Sequence, residues 1–318
     1  MSQCKVCENT HNNITHNVRE MMFGTRKSYE YFQCSACNCL QLAGPPKNPS
    51  EMYPEEYYSF QVLQDPYGKG LSGYMDRLRS KATLSRRNSI ADHITRYFLG
   101  EYKDYNIIRM LPFQITTRYL DVGTGNGAFL APLYNAGYKQ CLGIDQFIEH
   151  DIEYSSGLQI RKGTIFDLQG EYDVIFYNHS FEHIHEQKAE LRKVHELLAN
   201  QGVCVISIPV FPSLAWDQYG VNWYQIDAPR HYFLHSRESI RYIAEFSGFA
   251  IEWVIYNSTY AQFYISELYS NGICMSDKKW HKDHILLRKY KKIKYSYMAD
   301  RQNENCYGDQ AVFCLVKK

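Results

Sequence analysis

Arg118-Tyr119-Leu120-Asp121-Val122-Gly123-Thr124-Gly125-Asn126-Gly127-Ala128-Phe129-Leu130 is the stretch that decides the fold. Its first five residues read as a short strand, and three alternating glycines follow at once. From Ala128 an amphipathic run continues to Ala136 and predicts a helix. Glycine at 123, 125 and 127 lets the backbone turn sharply and lets a ligand approach where a Cβ would otherwise stand. The amino terminus of the following helix offers free N–H groups and a field that favours a carboxylate or a phosphate.

Outward from this loop the chain alternates short apolar runs with amphipathic ones, the pattern of a parallel α/β sheet. Strands are predicted at 118–122, 140–144, 173–177, 203–208, 249–256 and 311–316, with helices at 128–136 and 186–198. The loop alone fits more than one cofactor, because dinucleotide domains need the same turn. Their fingerprint is G-x-G-x-x-G, and Gly123-Thr124-Gly125-Asn126-Gly127-Ala128 departs from it at the end. Three further features bear on the choice. Leu142-Gly143-Ile144-Asp145 puts an acid at the end of the next strand, where it can bind both hydroxyls of a ribose in either cofactor class. Gly163-Thr164-Ile165-Phe166-Asp167 puts an aromatic ring and an acid where an adenine would lie. Glu171-Tyr172-Asp173-Val174-Ile175-Phe176-Tyr177-Asn178 is a strand that ends in polar residues.

In this order and spacing the segments resemble the class I methyltransferases that depend on S-adenosylmethionine (SAM). The resemblance implies an α/β, Rossmann-like, seven-stranded, mostly parallel sheet whose last strand is antiparallel. It also implies roles by position. Gly123, Gly125 and Gly127 would pass under the methionine part of SAM, with Asp121 near its amino group. Asp145 would bind the ribose, and Asp167 the adenine amine with Phe166 beside the ring. Asn178 and His179 would lie beneath the sulfonium. The two late strands fit this family if residues 257–309 form a helical insertion. A dehydrogenase would need a nicotinamide half with a second set of βα units, and the sequence holds none.

Asn178-His179-Ser180-Phe181-Glu182-His183-Ile184-His185 is the densest polar group. His179 and His183 share one face if the segment is helical. The order His-x-x-Glu-His resembles an inverted zincin in outline, yet no third ligand is evident. Glu182 and His183 match a pair that lies at the cleft floor in methyltransferases of this type. His183 or His179 would take a proton from the acceptor, since histidine titrates near neutral pH. The alternative is that Glu182 and His183 only anchor the turn by hydrogen bonds. A second polar group, Asp227-Ala228-Pro229-Arg230-His231, follows the aromatic residues Trp216, Tyr219, Trp223 and Tyr224. Arg230 and His231 either meet a phosphate or sugar hydroxyl or tie their loop down. Ser236 and Ser239 begin a helix in capping style.

Cys4-x-x-Cys7 and Cys34-x-x-Cys37 supply four thiolates that can surround Zn²⁺ tetrahedrally, with hairpin material between them. Cys39 is an additional thiol, and a set of buried cysteines without metal is the other reading. The predicted organisation is a zinc-ribbon-like module at 1–44, a linker and helical cap at 45–115, and a SAM domain at 116–318. The break after 44 is marked by Gly44-Pro45-Pro46. The amino-terminal ribbon, the Tyr53-Pro54-Glu55-Glu56-Tyr57-Tyr58 stretch and the Asp-x-Pro-Arg-His motif resemble a bacterial methyltransferase group associated with sugar and cell-surface polysaccharide pathways.

Net charge is +1 and the pI about 7.6, so no electrostatic footprint for nucleic acid is present. The basic run Lys289-Tyr290-Lys291-Lys292-Ile293-Lys294 reads as a solvated helix face or a site for an anionic substrate. No signal peptide or membrane-spanning run is evident, so the expected location is cytoplasmic. Tyrosine is abundant at 28 residues, either as core or as surface for a sugar or nucleobase. Taken together, the sequence points to a SAM-dependent methyltransferase with a small-molecule or glycan acceptor, a sugar, and O-methylation. C-methylation, an NAD-dependent sugar oxidoreductase and an inactive binding module are the alternatives. The oligomeric state is not encoded in any of these features.

Overall fold

A computed structural model describes residues 3–44, 52–53, 59–61, 63, 70–102, 105–111, 114–277 and 285–318. Pro45, Pro46, Tyr57 and Tyr58 lie outside the described residues. The chain begins with β1 (Ile14–Arg19) and β2 (Ser28–Gln33), paired antiparallel from Ile14 opposite Gln33 to Arg19 opposite Ser28. β3 (Leu40–Leu42) pairs antiparallel with β2. Helices α1 (Leu71–Leu84), α2 (Ile90–Leu99) and the short α3 (Asn106–Met110) follow. Asn88 takes a φ of 47°, and Ser89 then caps α2 in a reciprocal box with Asp92, which divides the helical tract in two.

Next come β4 (Tyr119–Val122), α4 (Leu130–Ala136), β5 (Cys141–Asp145), β6 (Ile152–Glu153), β7 (Gln159–Lys162) and β8 (Tyr172–Asn178). The remainder is α5 (Gln187–Leu197), β9 (Leu198–Pro209), α6 (Leu214–Tyr219), β10 (Phe233–Leu234), α7 (Arg237–Phe246) and β11 (Phe249–Tyr256). Helices α8 (Ala261–Ser270) and α9 (Ile285–Glu304) then precede β12 (Gln310–Lys317).

The large sheet has the order β11-β12-β9-β8-β4-β5-β7-β6. β4 is parallel to β5 and β8, and β5 to β7. β12 runs antiparallel to β11, as the family resemblance implies. The expected seven strands become eight because two residues, Ile152 and Glu153, add an antiparallel edge to β7. The fold is therefore Rossmann-like α/β with a mostly parallel sheet. All four residues of β4 are buried, as are Ala311 to Leu315 of β12. Each buried Leu, Val or Phe among them contributes about 1.5–3 kcal/mol.

By its internal contacts the chain divides into two compact units. One comprises Met1–Tyr53, His179–His195 and Val205–Lys318; the other comprises Pro54–Asn178 and Glu196–Cys204. Within the first, β10 joins β3, giving a sheet of order β1-β2-β3-β10. Within the second, α1 packs on α2 and α4, and Phe129 stacks on Phe176 with ring centroids 4.9 Å apart. No helix among the described residues is long and apolar enough to cross a membrane.

Candidate active site

β4 delivers Asp121 to the glycine loop, where Gly123, Gly125 and Gly127 have φ of 72°, 57° and 81°. Side chains other than glycine rarely adopt that region. Gly127 has a second reason to lack a side chain: a Cβ there would lie 2.6 Å from Ile160 Cδ1. Its place is thus one of close loop-to-strand packing. A Cβ at Gly125 would collide with the carbonyl oxygen of Ser59. That carbonyl accepts from the Asn126 N–H at 2.8 Å, and the Asn126 side-chain amide donates to the Gln61 carbonyl at 2.8 Å. The sequence carried no sign that Ser59–Gln61 lies against the loop, because such backbone pairing leaves no residue signature.

The acids of this unit differ in how far their bonds are satisfied. Asp121 is buried, and its Oδ2 accepts from the Thr124 hydroxyl at 2.6 Å. Its Oδ1 has no hydrogen-bond partner among the described residues. Burial pushes this carboxyl up to about 7, against the Thr124 hydrogen bond and with the charge of Asp145 adding to it. Asp145 accepts from the N–H groups of Gly125 and Phe147, each at 2.8 Å. Asp167 accepts from the Thr164 N–H at 2.8 Å and the Thr164 hydroxyl at 2.9 Å, closing the turn Ile165–Asp167. Those bonds hold its carboxyl below the ordinary range. Phe166 is exposed, and Asn178 ends β8 half-buried.

The histidines belong to the other unit. Phe181–His183 is a single 3-10 turn, and His179 before it has a φ of 53°. His179 and His183 therefore do not share an α-helical face; the turn has i to i+3 geometry and the chain bends at His179. Glu182 is wholly buried. Its Oε1 lies 3.7 Å from His179 Nδ1 and 3.8 Å from His231 Nε2, beyond hydrogen-bond reach. Burial opposes its ionisation, yet the surrounding His179, His183 and His231 outweigh burial and hold the carboxyl at about 2. His183 Nδ1 lies 2.9 Å from the Arg230 carbonyl oxygen and 3.3 Å from the Tyr53 hydroxyl. His231 Nδ1 lies 2.7 Å from the Gln225 carbonyl oxygen. Burial, with His183 adding, brings the His231 imidazole down to about 4. The Tyr232 N–H donates to the Glu182 carbonyl at 2.9 Å, which pins the two polar segments together.

Arg230 sits in the same unit and is fully committed. Its Nε donates to Asp227 Oδ2 at 2.9 Å, its Nη2 donates to Glu20 Oε1 at 3.2 Å, and its guanidinium lies 4.5 Å from the Phe23 ring centroid. Of the two readings of this arginine, the structure carries the one in which it orders its own loop. Gln310, next to the buried Asp309, donates from Nε2 to His179 Nε2 at 3.0 Å. Lys291 lies 3.3 Å from Glu267, and Lys292 lies over the Tyr260 ring, so part of the basic run rests on α8.

Cys4, Cys7, Cys34 and Cys37 gather at the ends of the β1–β2 ribbon with their sulfurs all within 4.8 Å of one another. Cys4 Sγ is 3.6 Å from Cys37 Sγ, and Cys7 Sγ is 3.5 Å from Cys34 Sγ. Tetrahedral bonds of ~2.3 Å to zinc place sulfurs about 3.8 Å apart, so the four fit that ion. Cys39 stands outside the cluster, buried with its sulfur 3.8 Å from His235 Nδ1.

A profile of the methyltransferase domain family matches residues 82–253, more than half of the chain. The chain belongs to this family. It is a SAM-dependent methyltransferase, and the NAD-dependent reading of the glycine loop falls away. Among solved structures, this methyltransferase is similar to a cyclopropane synthase from Mycobacterium tuberculosis, at 16% identity over 78% of this chain and 95% of that chain, with a TM-score of 0.43. It is also similar to a SAM-dependent methyltransferase from Archaeoglobus fulgidus, at 16% identity over 72% of this chain and all of that chain, TM-score 0.43. A third is phosphoethanolamine N-methyltransferase 2 from Haemonchus contortus, at 17% identity over 69% of this chain and 53% of that chain, TM-score 0.41. No curated protein sequence matches the chain.

The matched span contains the glycine loop, Asp145, Asp167 and the Glu182, His183 and His231 group of this methyltransferase, and it leaves out the four cysteines. Those residues are legible in the sequence, and their supports are not. Thr124, Ser59 and Gln61 back the glycine loop, while Gln225, Asp227 and Glu20 set the histidine and arginine positions. Only Asp227, through its place in Asp-x-Pro-Arg-His, gave any signal in the sequence.

Proposed function

We propose that this methyltransferase transfers the methyl group of SAM to a hydroxyl of a sugar, free, nucleotide-linked or in a glycan. The observation that carries O-methylation is the held imidazole of His183. Its Nδ1 faces the Arg230 carbonyl, which can only accept, so the ring proton sits on Nδ1 and Nε2 is left basic. His183, or the exposed His179 beside it, then takes the acceptor proton, and the buried Glu182 and His231 fix the arrangement. Bound SAM supplies an electrophilic methyl group. Asp121 suits its ammonium, since one buried carboxylate oxygen is otherwise unsatisfied. Gly123, Gly125 and Gly127 would lie along its methionine part, Asp145 would hold the ribose, and Asp167, Phe166 and Asn178 would line the adenine and sulfonium ends.

The sugar reading is supported by the resemblance to polysaccharide-associated methyltransferases and by the abundance of tyrosine. The four amino-terminal thiols would hold a structural zinc ion, and a cytoplasmic location suits reduced thiols. The test is incubation with methyl-labelled SAM and a panel of nucleotide sugars and lipid-linked glycans, the label being located by mass spectrometry. Labelled sugar oxygen is the expected result. Label in protein, RNA or a carbon atom overturns the reading.

A further inference from the structure

Glu182, His183 and His231 converge in a way that a proton-transfer role does not explain. We infer that they form a binding site for a divalent first-row transition-metal ion, with the Glu182 carboxylate and the Nε2 atoms of His183 and His231 as ligands; with the ion bound the His183 lone pair is taken up, and of the two proposed bases the exposed His179 receives the acceptor proton.

The argument begins with the tautomers. His183 Nδ1 faces the Arg230 carbonyl at 2.9 Å, and His231 Nδ1 faces the Gln225 carbonyl at 2.7 Å. A carbonyl oxygen accepts only, so both rings carry their proton on Nδ1 and keep a lone pair on Nε2. What the His231 lone pair meets is another acceptor. His231 Nε2 lies 3.8 Å from Glu182 Oε1, and one ligand atom from each of the three residues falls within 4.8 Å of the others. Glu182 is wholly buried, and neither carboxylate oxygen has a hydrogen-bond partner among the described residues. Such a group ordinarily costs stability and is rarely left so. A cation between the three acceptors removes the mutual repulsion and satisfies every one of them.

The surroundings match those of ligating histidines. A backbone carbonyl behind each ring fixes orientation and raises the basicity of the inward nitrogen. The Tyr232 N–H to Glu182 carbonyl bond holds the two ligand-bearing segments in register. Two imidazoles and one carboxylate suit zinc, manganese, iron(II) or cobalt, whereas magnesium and calcium favour all-oxygen sets. Three protein ligands leave positions open, as in catalytic rather than structural sites. Resting on the reading of this cluster as the acceptor side, the acceptor is one with two neighbouring oxygens, such as a vicinal diol, that can occupy those positions while the ion lowers the pKa of one hydroxyl.

The test is a cobalt(II) titration of the full-length chain after one equivalent of zinc has been supplied for the cysteines. Visible d–d absorption that saturates at one further equivalent, without a near-ultraviolet thiolate band, is expected. Glu182→Gln, His231→Gln and His183→Ala should each weaken that binding at least tenfold. His183 is only half-buried, so its variant remains informative if the two buried ones do not fold. Absence of cobalt binding, a spectrum of thiolate type alone, or an unchanged affinity in His183→Ala would overturn the assignment. No acceptor enters this titration, so its failure leaves the sugar reading intact. Conversely, an intact cobalt signal with no sugar methylation would overturn only the sugar reading.

Discussion

Gly125 donates its N–H to the Asp145 carboxylate at 2.8 Å, so the acid proposed to hold the ribose also anchors the glycine loop. Asp145→Ala would remove both functions. Hydrogen bonds to charged groups are worth roughly 1.5–3 kcal/mol, which corresponds to a weakening of SAM binding by about 10- to 100-fold. Calorimetric titration with SAM checks this, and Asp145→Asn, which keeps an acceptor, should fall between. Wild-type affinity in the alanine variant would refute the cofactor assignment.

Gly127 and Ile160 test the packing side of the same loop. Gly127→Ala places a methyl group 2.6 Å from Ile160 Cδ1 at a φ of 81°. Overpacking and the left-handed backbone together should destabilise the unit by about 2–5 kcal/mol. Urea unfolding measures the loss, and Ile160→Val in the same chain should recover part of it. If the two changes prove additive, Ile160 is not the obstacle.

Asp121 sets a pH dependence. Its carboxyl is raised from 3.8 to about 7, chiefly by burial. The folded chain therefore holds a proton that the unfolded chain has already lost. The stability this contributes is complete below pH ~3.8 and is lost as pH rises through about 7. Over that window the effect is up to roughly 4 kcal/mol. Asp121→Asn should flatten this slope and leave the variant more stable than wild type at pH 8 in denaturant titrations. An identical slope in both proteins would show that Asp121 titrates normally.

Arg230 holds two carboxylates in a buried setting, Asp227 and Glu20. Arg230→Met would strand both and should cost about 3–5 kcal/mol by thermal unfolding. Arg230→Lys should also be poorly tolerated, because an ammonium cannot reproduce the planar fork. A variant of unchanged stability but raised acceptor KM would instead place Arg230 on the substrate.

Native mass spectrometry should find one zinc ion per chain at the four cysteines. Cys34→Ser should lose it and lower the melting temperature. Retention of zinc at full occupancy in that variant would remove Cys34 from the ligand set.

The sequence was most legible where apolar residues cluster on one element. Residues 249–256 were read as a strand and are β11 at the same limits. β7 escaped notice because only Ile160 among its four residues is buried, leaving no run to detect. The glycine loop was visible as a ligand feature, yet the packing duty of Gly127 was not, since Ile160 lies 33 positions away. His179, Glu182, His183 and His231 could be named from local motifs. Their tautomers could not, because the backbone carbonyls of Arg230 and Gln225 that set them have no residue identity.

The pairing of β3 with β10 means that the cysteine ribbon is not a detachable appendage. Tyr31 of β2 donates its hydroxyl to the His231 carbonyl at 2.8 Å, and Ser236 donates its hydroxyl to the Cys37 carbonyl at 2.6 Å. A chain shortened to begin after Gly44 would leave β10 as a bare edge and His231 without its tether. The Tyr31 hydroxyl thereby ties the strand that ends beside Cys34 to the backbone of a histidine 200 residues downstream.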